Sequence, residues 1–292
     1  MSLAVQTVTW GDVAIDAARR LAETGIADAE VQSRRLVEQA SGYEGGDYYV
    51  GLTRVPSQRQ LAHLDAMLAR RLAGEPLQYV LGRWGFRGLD LMVSPAVLIP
   101  RPETETLAGL AIAELIDRDR HGGLVVDLGT GSGAVGLAVA AECETAQVVL
   151  TDVSAEALAV AQANLAGLGR AAVRVSTFQG SWYEALPDSL VGLVDVVVSN
   201  PPYVRDDEVL PTDVGDWEPV MALRGGSDGL DAARRILAGA PRWLSPGGSV
   251  LLELSSDQMN AAGAVAQASG LAVEAVFPDL VGRDRVLKCR LM

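Results

Sequence analysis

Two cysteines, Cys143 and Cys289, are all that 292 residues contain, so no disulfide framework is implied. Histidine is equally scarce. His63 and His121 lie far apart, and with two scattered thiols they lack the spacing of a zinc site; each is read as surface or packing. No apolar run approaches the roughly 18–20 residues that a membrane span needs. Met1 to Trp10 lacks the basic-then-apolar layout of a secretory signal. These absences favour the cytoplasm, with no membrane partner and no metal. Positive charge is short as well: 24 Lys and Arg stand against 37 Asp and Glu, a net charge of −13. Duplex binding draws on cations that neutralise phosphates, so nucleic acid is not the expected direct partner. The surplus acid either steers towards a basic protein or simply aids solubility.

What is present divides in two. Residues 10–75 read as helices, with Val13, Ala17, Leu21 and then Leu61, Leu64, Leu68, Leu72 at helical spacing. Gly25, Gly42, Gly45-Gly46 and Pro56 punctuate them. Residues 76–100 suggest a hairpin joining two domains, and Thr104 starts a helix. From residue 123 strands and helices alternate, which means an α/β fold with a parallel sheet. Expected strands are Leu124–Val126, Gln147–Leu150, Val173–Thr177, Val194–Ser199, Val250–Leu254, Leu271–Val276 and Val286–Leu291. Expected helices are 134–142, Ala155–Leu168 and Leu230–Ala240, with a turn at Pro246-Gly247-Gly248. The late, closely spaced strands suit an antiparallel edge.

Asp127-Leu128-Gly129-Thr130-Gly131-Ser132-Gly133 lies between a strand and a helix, where glycines let a ligand approach the main chain. In open α/β sheets ligands bind beyond the carboxyl ends of the strands. Gly131 to Gly136 also fits the dinucleotide pattern G-x-G-x-x-G, which alone is weak. Asp152, ending the next strand, suits the ribose hydroxyls of NAD or of S-adenosylmethionine; its bland reading is a turn acid, with Ser154 an equally good helix cap.

Ser199-Asn200-Pro201-Pro202-Tyr203 follows a wholly apolar strand at the same end of the sheet. Asn and Pro are common turn residues, but here a polar amide, two rigid prolines and an aromatic meet where ligands bind. Such a group suits alignment of a planar nitrogen for in-line displacement. An amide nitrogen is a poor nucleophile, and two acceptors facing its N–H bonds would orient it as charge develops. The Asn200 side-chain carbonyl and the Pro201 backbone carbonyl can be those acceptors. The prolines stiffen the loop, and Tyr203 can offer a stacking face.

The glycine run resembles the first motif of class I methyltransferases, and the tetrapeptide resembles that of the amino-methyltransferases acting on adenine-N6, cytosine-N4 and glutamine-N5. Further segments are Gly74-Glu75-Pro76-Leu77-Gln78-Tyr79-Val80-Leu81-Gly82, Leu98-Ile99-Pro100-Arg101-Pro102-Glu103-Thr104-Glu105, Glu218-Pro219 and Gly225-Gly226-Ser227-Asp228-Gly229-Leu230. Together, across roughly residues 68–290, they resemble the protein-(glutamine-N5) methyltransferases of bacterial peptide chain release factors. The resemblance implies a seven-stranded, Rossmann-like methyltransferase domain with its hairpin linker over 83–292. It also implies a small helical, partner-recognition domain over 1–82. The implied cofactor is S-adenosylmethionine, leaving as S-adenosylhomocysteine. Gly129, Thr130, Gly131, Ser132, Gly133, Asp152, Trp182 and Asn200 would hold it, with Trp182 beside the adenine. Asn200, Pro201, Pro202 and Tyr203 would hold the glutamine of a Gly-Gly-Gln loop, and Asn200, Pro201 and Tyr203 would be the catalytic group. The block Arg101 to Glu105 receives no role beyond a turn and helix start. One residue departs from the pattern: where glycine is common two positions after Glu253, this chain has Ser255, ahead of Gln258.

Rival readings are a glutamine methyltransferase of a ribosomal protein, a DNA adenine-N6 methyltransferase, a dehydrogenase and a non-catalytic cofactor-binding module. The acidic balance and the lack of a basic, aromatic recognition insert oppose the DNA enzyme. Gly225 to Gly229 formally fits the G-x-S-x-G hydrolase elbow. No strand leads into it, and both histidines precede it, so it is read as a loop.

Overall fold

A computed structural model describes residues 8–117 and 123–292. Met1 to Thr7 and residues 118–122, His121 included, lie outside the described residues. The chain forms two compact units: the residues up to Gly82 together with Thr212–Trp217, and residues 83–211 together with Glu218–Met292.

The first unit is helical: Trp10–Glu23, Ala29–Ser41, Gly46–Gly51, Gln58–Leu72 and Leu77–Leu81. Two of these helices start with reciprocal caps, Thr9 with Asp12 and Ser57 with Gln60, which satisfy otherwise orphaned N–H groups. Apolar faces at helical spacing bury Trp10, Leu21, Leu36, Leu64 and Leu68 in one core. The Gly74–Gly82 segment turns a corner clamped by Arg70. Its guanidinium meets buried Glu75 at 2.7 Å through Nε and donates to the Tyr79 and Val80 carbonyls at 2.9 and 3.3 Å. Thr212–Trp217 was not separable in sequence from the strands around it. It joins this unit, where the Trp217 indole lies 3.7 Å from where a Cβ at Gly74 would stand.

The second unit opens with the expected hairpin, β1 (Arg83–Phe86) and β2 (Leu89–Met92), paired antiparallel around a turn in which Arg87 and Gly88 both have positive φ. After the helix Thr104–Asp117 come β3 (Leu124–Leu128), β4 (Gln147–Asp152), β5 (Val175–Gln179), β6 (Val194–Ser199), β7 (Leu244–Glu253), β8 (Leu271–Pro278) and β9 (Asp284–Leu291). They form one seven-stranded sheet in the order β5-β4-β3-β6-β7-β9-β8. β3 to β7 run parallel, and β9 pairs antiparallel with both β7 and β8. Alternate residues explain the layering. Val126, Leu128, Val197, Val250 and Leu252 face one core, with helices Asp231–Trp243 and Met259–Ala268. Val125, Val196, Val198 and Leu251 face the other, with Thr104–Asp117 and Ala134–Glu142. Both faces are covered, as near-continuous apolar strands require. Among the described residues no helix is long and apolar enough to cross a membrane.

Most element boundaries shift from expectation by a residue or two, and three of the differences have a visible cause or consequence. β5 starts at Val175, not Val173: Val173 is exposed, and residues 169–174 coil into a 3-10 turn from which Arg174 reaches the Ala140, Cys143 and Ala146 carbonyls. Pro246-Gly247-Gly248 lies within β7, where the pairing with β6 is irregular. The helix read as ending at Ala240 runs through Pro241 to Trp243, whose ring stacks on Tyr183 at 6.0 Å.

Candidate active site

Chain order reverses between β3 and β6: β4 and β5 lie on one side of β3, and the chain then returns to its other side. Such a switch point leaves a crevice at the carboxyl ends of the strands. A cavity of about 640 Å³ opens there, lined by residues that follow β3, β4, β5 and β6.

The glycine loop is shaped from within. Asp127, at the end of β3 and 2% exposed, accepts from the Thr130 hydroxyl at 2.6 Å and from the Gly136 N–H at 3.0 Å. Burial pushes its carboxyl up to about 6, against the pull of those two bonds. The Asp152 carboxylate accepts from the Gly131 N–H at 2.9 Å through one oxygen and from the Ser154 N–H at 2.9 Å through the other. The Ser154 hydroxyl in turn caps the following helix by accepting from the Ala157 N–H, so turn acid and cap are both present. Each Asp152 oxygen keeps lone pairs for a further donor. Trp182 has positive φ, and its ring lies 3.4 Å from where a Cβ at Gly129 would stand. Asn164 holds the loop from outside. Its amide nitrogen donates to the Ser132 and Met92 carbonyls at 2.8 and 3.1 Å, and its oxygen accepts from the Met92 N–H at 2.6 Å, tying loop to hairpin.

The tetrapeptide follows β6, whose last residue, Ser199, donates to the Leu128 carbonyl at 2.6 Å and so links the ends of β3 and β6. The Asn200 side chain donates from Nδ2 to the Thr104 hydroxyl at 3.2 Å. Its carbonyl oxygen is thereby left for another donor. The Gly225–Leu230 segment backs the tetrapeptide at contact distance. A Cβ on Gly225 would stand 2.5 Å from the Pro202 carbonyl oxygen, and one on Gly229, which also has φ +74°, 2.2 Å from that of Tyr203. No side chain fits there. Gln258 closes the arrangement, donating to the Tyr203 and Asp228 carbonyls at 2.9 and 3.2 Å. Ser255, the departure from the family pattern, begins this turn: its N–H donates to the Gln258 side-chain oxygen at 3.1 Å. The hydrolase-elbow pattern is thus a loop packed under the tetrapeptide, and the short helix Val220–Leu223 precedes it.

The structure brings Gly129, Thr130, Gly131, Ser132, Asp152, Trp182, Asn200 and Pro202 to the wall of one cavity. Gly133, Pro201 and Tyr203 are not among the residues that line it. Gly133 caps the helix Ala134–Glu142, Pro201 is buried, and the Tyr203 ring packs against the core under β6 and β7. Burial, with buried Glu253 nearby, pushes the Tyr203 phenol up to about 12.

Sequence reasoning left Arg101 to Glu105 without a role, and the contacts supply one for each polar member of its ends. Arg101 pairs with buried Glu218, which also accepts from the Ile99 N–H at 3.1 Å. Thr104 meets Asn200, and Glu105 accepts from the Arg87 N–H at 3.1 Å in the hairpin turn. Glu253, 1% exposed, was missed except as a landmark. Burial pushes it up to about 7, against the pull of the Thr104 hydroxyl. A carboxylate ending a fully buried strand was the available signal.

Comparison with known proteins gives the family. Residues 108–214 match the family described as Methyltransferase small domain, and residues 12–82 match the PrmC N-terminal domain. A release factor glutamine methyltransferase from Cereibacter sphaeroides is 40% identical over 274 residues, covering 93% of this chain and 95% of that protein. One from Geobacter sulfurreducens is 38% identical, covering 93% of each. A crystal structure of a methyltransferase from Pyrococcus furiosus aligns with a TM-score of 0.49 at 21% identity, over 77% of this chain and 98% of that one. The seven-stranded sheet, with only its last pairings antiparallel, is the class I methyltransferase fold. Identity at this level across nearly the whole of both chains means that this chain belongs to the release factor glutamine methyltransferase family and is a methyltransferase.

Proposed function

We propose that this chain uses S-adenosylmethionine to methylate N5 of the glutamine in the Gly-Gly-Gln loop of peptide chain release factors, in the cytoplasm. The observation that carries this reading is the orientation of Asn200. Its amide nitrogen is taken up by Thr104, so its carbonyl is the free end at a cavity shared with the glycine loop.

The residues present fit the donor. The cavity falls within the roughly 300–1,000 Å³ of small-molecule sites. Asp152 retains acceptor capacity for ribose hydroxyls, the glycine loop exposes main chain, and Trp182 supplies an aromatic face. When bound, the donor supplies a methyl carbon made electrophilic by a positively charged sulfur. The chain's part is then orientation. In the proposed reaction the Asn200 carbonyl accepts from an N–H bond of the glutamine amide and holds its nitrogen in line. With the donor bound, the nitrogen so held would take the methyl group as the carbon–sulfur electron pair stayed with sulfur, and one amide proton would leave to water. Pro201 has no N–H to compete. The helical unit is the proposed recognition domain for the release factor.

The test is mass spectrometry of a bacterial release factor after incubation with the enzyme and S-adenosylmethionine. One added methyl on the loop glutamine is the expected result. No gain, with the enzyme folded and cofactor-bound, refutes the assignment, and labelling of a ribosomal protein alone would transfer it to the sister reaction.

A further inference from the structure

We propose that the cavity edge formed by Pro219, Val220, Met221 and Ala222 is where the peptide segment bearing the target glutamine docks, and that Glu218 is the positioning residue that holds this edge. The proposal rests on the reading of Asn200 as an acceptor for the substrate amide, and it adds where the chain around that amide lies.

Glu218-Pro219 stood out in the sequence without acquiring a role. In the structure the four residues that follow Glu218 line the same cavity as Asn200 and Pro202. None of the four is charged. Val220 and Met221 are each 64% exposed, so two bulky apolar side chains stand where a cavity wall meets solvent. Apolar side chains gathered at such a place mark a contact with something that covers them. The edge belongs to the tetrapeptide's wall. The Val204 N–H, next after Tyr203, donates to the Leu223 carbonyl at 2.9 Å, and the Gly225 N–H donates to the Val204 carbonyl at 2.8 Å. A glutamine amide sits on a short side chain. When it reaches Asn200, the main chain on either side of it must therefore cross the cavity's rim. Glycines beside the glutamine carry no side chain to keep that main chain away from an apolar surface. Met221 is unbranched and polarisable, which suits it to an irregular contact of this kind.

Glu218 holds the edge from its other end. It is 4% exposed. One carboxylate oxygen accepts from the Ile99 N–H at 3.1 Å, and the other pairs with the Arg101 guanidinium. Ile99 and Arg101 flank Pro100, which lines the cavity together with residues 95–98. One carboxylate thus ties together two stretches of the wall, 95–100 and 219–222. Pro219 follows it directly with φ −65°, and its carbonyl accepts from the Ala222 N–H at 2.9 Å. The position of Glu218 therefore passes into a stiff turn.

The experiment compares wild type with a double variant, Val220→Ser with Met221→Ser, with Glu218→Gln, with Arg101→Gln, and with the triple combination of the double variant and Glu218→Gln. Cofactor affinity is followed by calorimetry, and methyl transfer to a bacterial release factor is measured at saturating cofactor. Val220 and Met221 are exposed, so folding is not at stake in the double variant. Its kcat/KM for release factor is expected to fall about ten-fold, the scale of losing an apolar contact at an interface. The loss should lie in KM rather than kcat, as for binding shared by ground and transition states. Cofactor affinity should stay within about two-fold. Glu218→Gln turns an NH2 group towards one of two donors, and Arg101→Gln removes one of them; each should raise the same KM about three- to ten-fold. In the triple variant Glu218→Gln should add little, because the surface it positions is already gone. The docking edge is overturned if the double variant keeps the wild-type KM, or if it loses cofactor affinity ten-fold instead. The role of Glu218 is overturned if Glu218→Gln and Arg101→Gln both keep that KM, or if the effect of Glu218→Gln persists in full in the triple variant. A wild-type enzyme that binds cofactor yet methylates no glutamine overturns the underlying reading instead.

Discussion

The two walls of the cavity are held in different ways. On the glycine-loop side the bonds that shape the turn are mostly short in sequence, Thr130 to Asp127 spanning three residues, Ser154 to Asp152 two and Gly131 to Asp152 twenty-one, with Asn164 added from outside at 32 residues from Ser132. On the tetrapeptide side they are long. Thr104 lies 96 residues from Asn200, Gln258 lies 55 from Tyr203, and Gly225 and Gly229 come from a separate loop. The first wall offers main chain to the cavity and is shaped largely by its own turn. The second must hold a flexible side-chain amide in one sense, and no tetrapeptide can do that from its own atoms. Its rigidity is borrowed from three other segments.

The sharpest way to break this contrast is Asn200→Ala. Loss of one preorganised hydrogen-bonding group at a reacting centre costs about 10²–10³-fold in kcat. Cofactor affinity, measured by calorimetry, should fall far less, because the opposite wall is intact. Unchanged methyl transfer would remove Asn200 from the chemistry.

Asp152→Ala tests the other wall, with the opposite signature. The Gly131 N–H and Ser154 N–H lose their acceptor, and the donor loses its proposed ribose partner. Affinity for S-adenosylmethionine should drop about 10–100-fold, near the cost of one or two charge-assisted hydrogen bonds. At saturating cofactor kcat should recover. If kcat stays depressed there, the two walls are not separable as described.

These differences also decide what is legible in the amino-acid sequence. β6 and the helix 134–142 match their sequence reading, because unbroken apolar and Ala/Val patterns are local signals. The glycine loop and Asp152 were legible for the same reason: their partners are neighbours. Tyr203 was read as a stacking face, yet its ring packs against the core, since a motif does not reveal which side of a loop becomes interior. Thr104 was visible only as a helix start and Glu253 only as a strand end. The bond between Thr104 and Asn200 exists only once the helix Thr104–Asp117 meets the end of β6. The placement of Thr212–Trp217 in the helical unit was hidden likewise, because nothing in its composition marks a change of unit.

Gly229→Ala probes the borrowed rigidity directly. The added methyl would meet the Tyr203 carbonyl and the Gln258 amide, in a backbone conformation that L residues avoid. Relief requires the tetrapeptide to move. Stability should fall by about 1–3 kcal/mol, as for other overpacked sites, and kcat by about ten-fold, since sub-ångström misplacement of an aligned nucleophile is costly. Denaturant melts and steady-state kinetics read both. A ten-fold loss in cofactor affinity with normal kcat would mean that the loop serves the other wall.

The smallest effect belongs to Gln258→Ala. It deletes the donor to the Tyr203 and Asp228 carbonyls and leaves the Ser255 N–H without its partner. The close packing of Gly225 against the Pro202 carbonyl and of Gly229 against the Tyr203 carbonyl remains, so the tetrapeptide has little room to wander. Loss of two part-buried hydrogen bonds should cost about 1 kcal/mol of stability. Turnover should fall only about two- to five-fold, because the lost bonds hold Tyr203 rather than Asn200, which keeps its Thr104 anchor. Thermal melts and kcat under saturating conditions measure the two effects separately. If this substitution proved as damaging to kcat as Asn200→Ala, the anchor at Thr104 would not be what orients the amide, and the division of labour among the three supporting segments would have to be redrawn around Gln258.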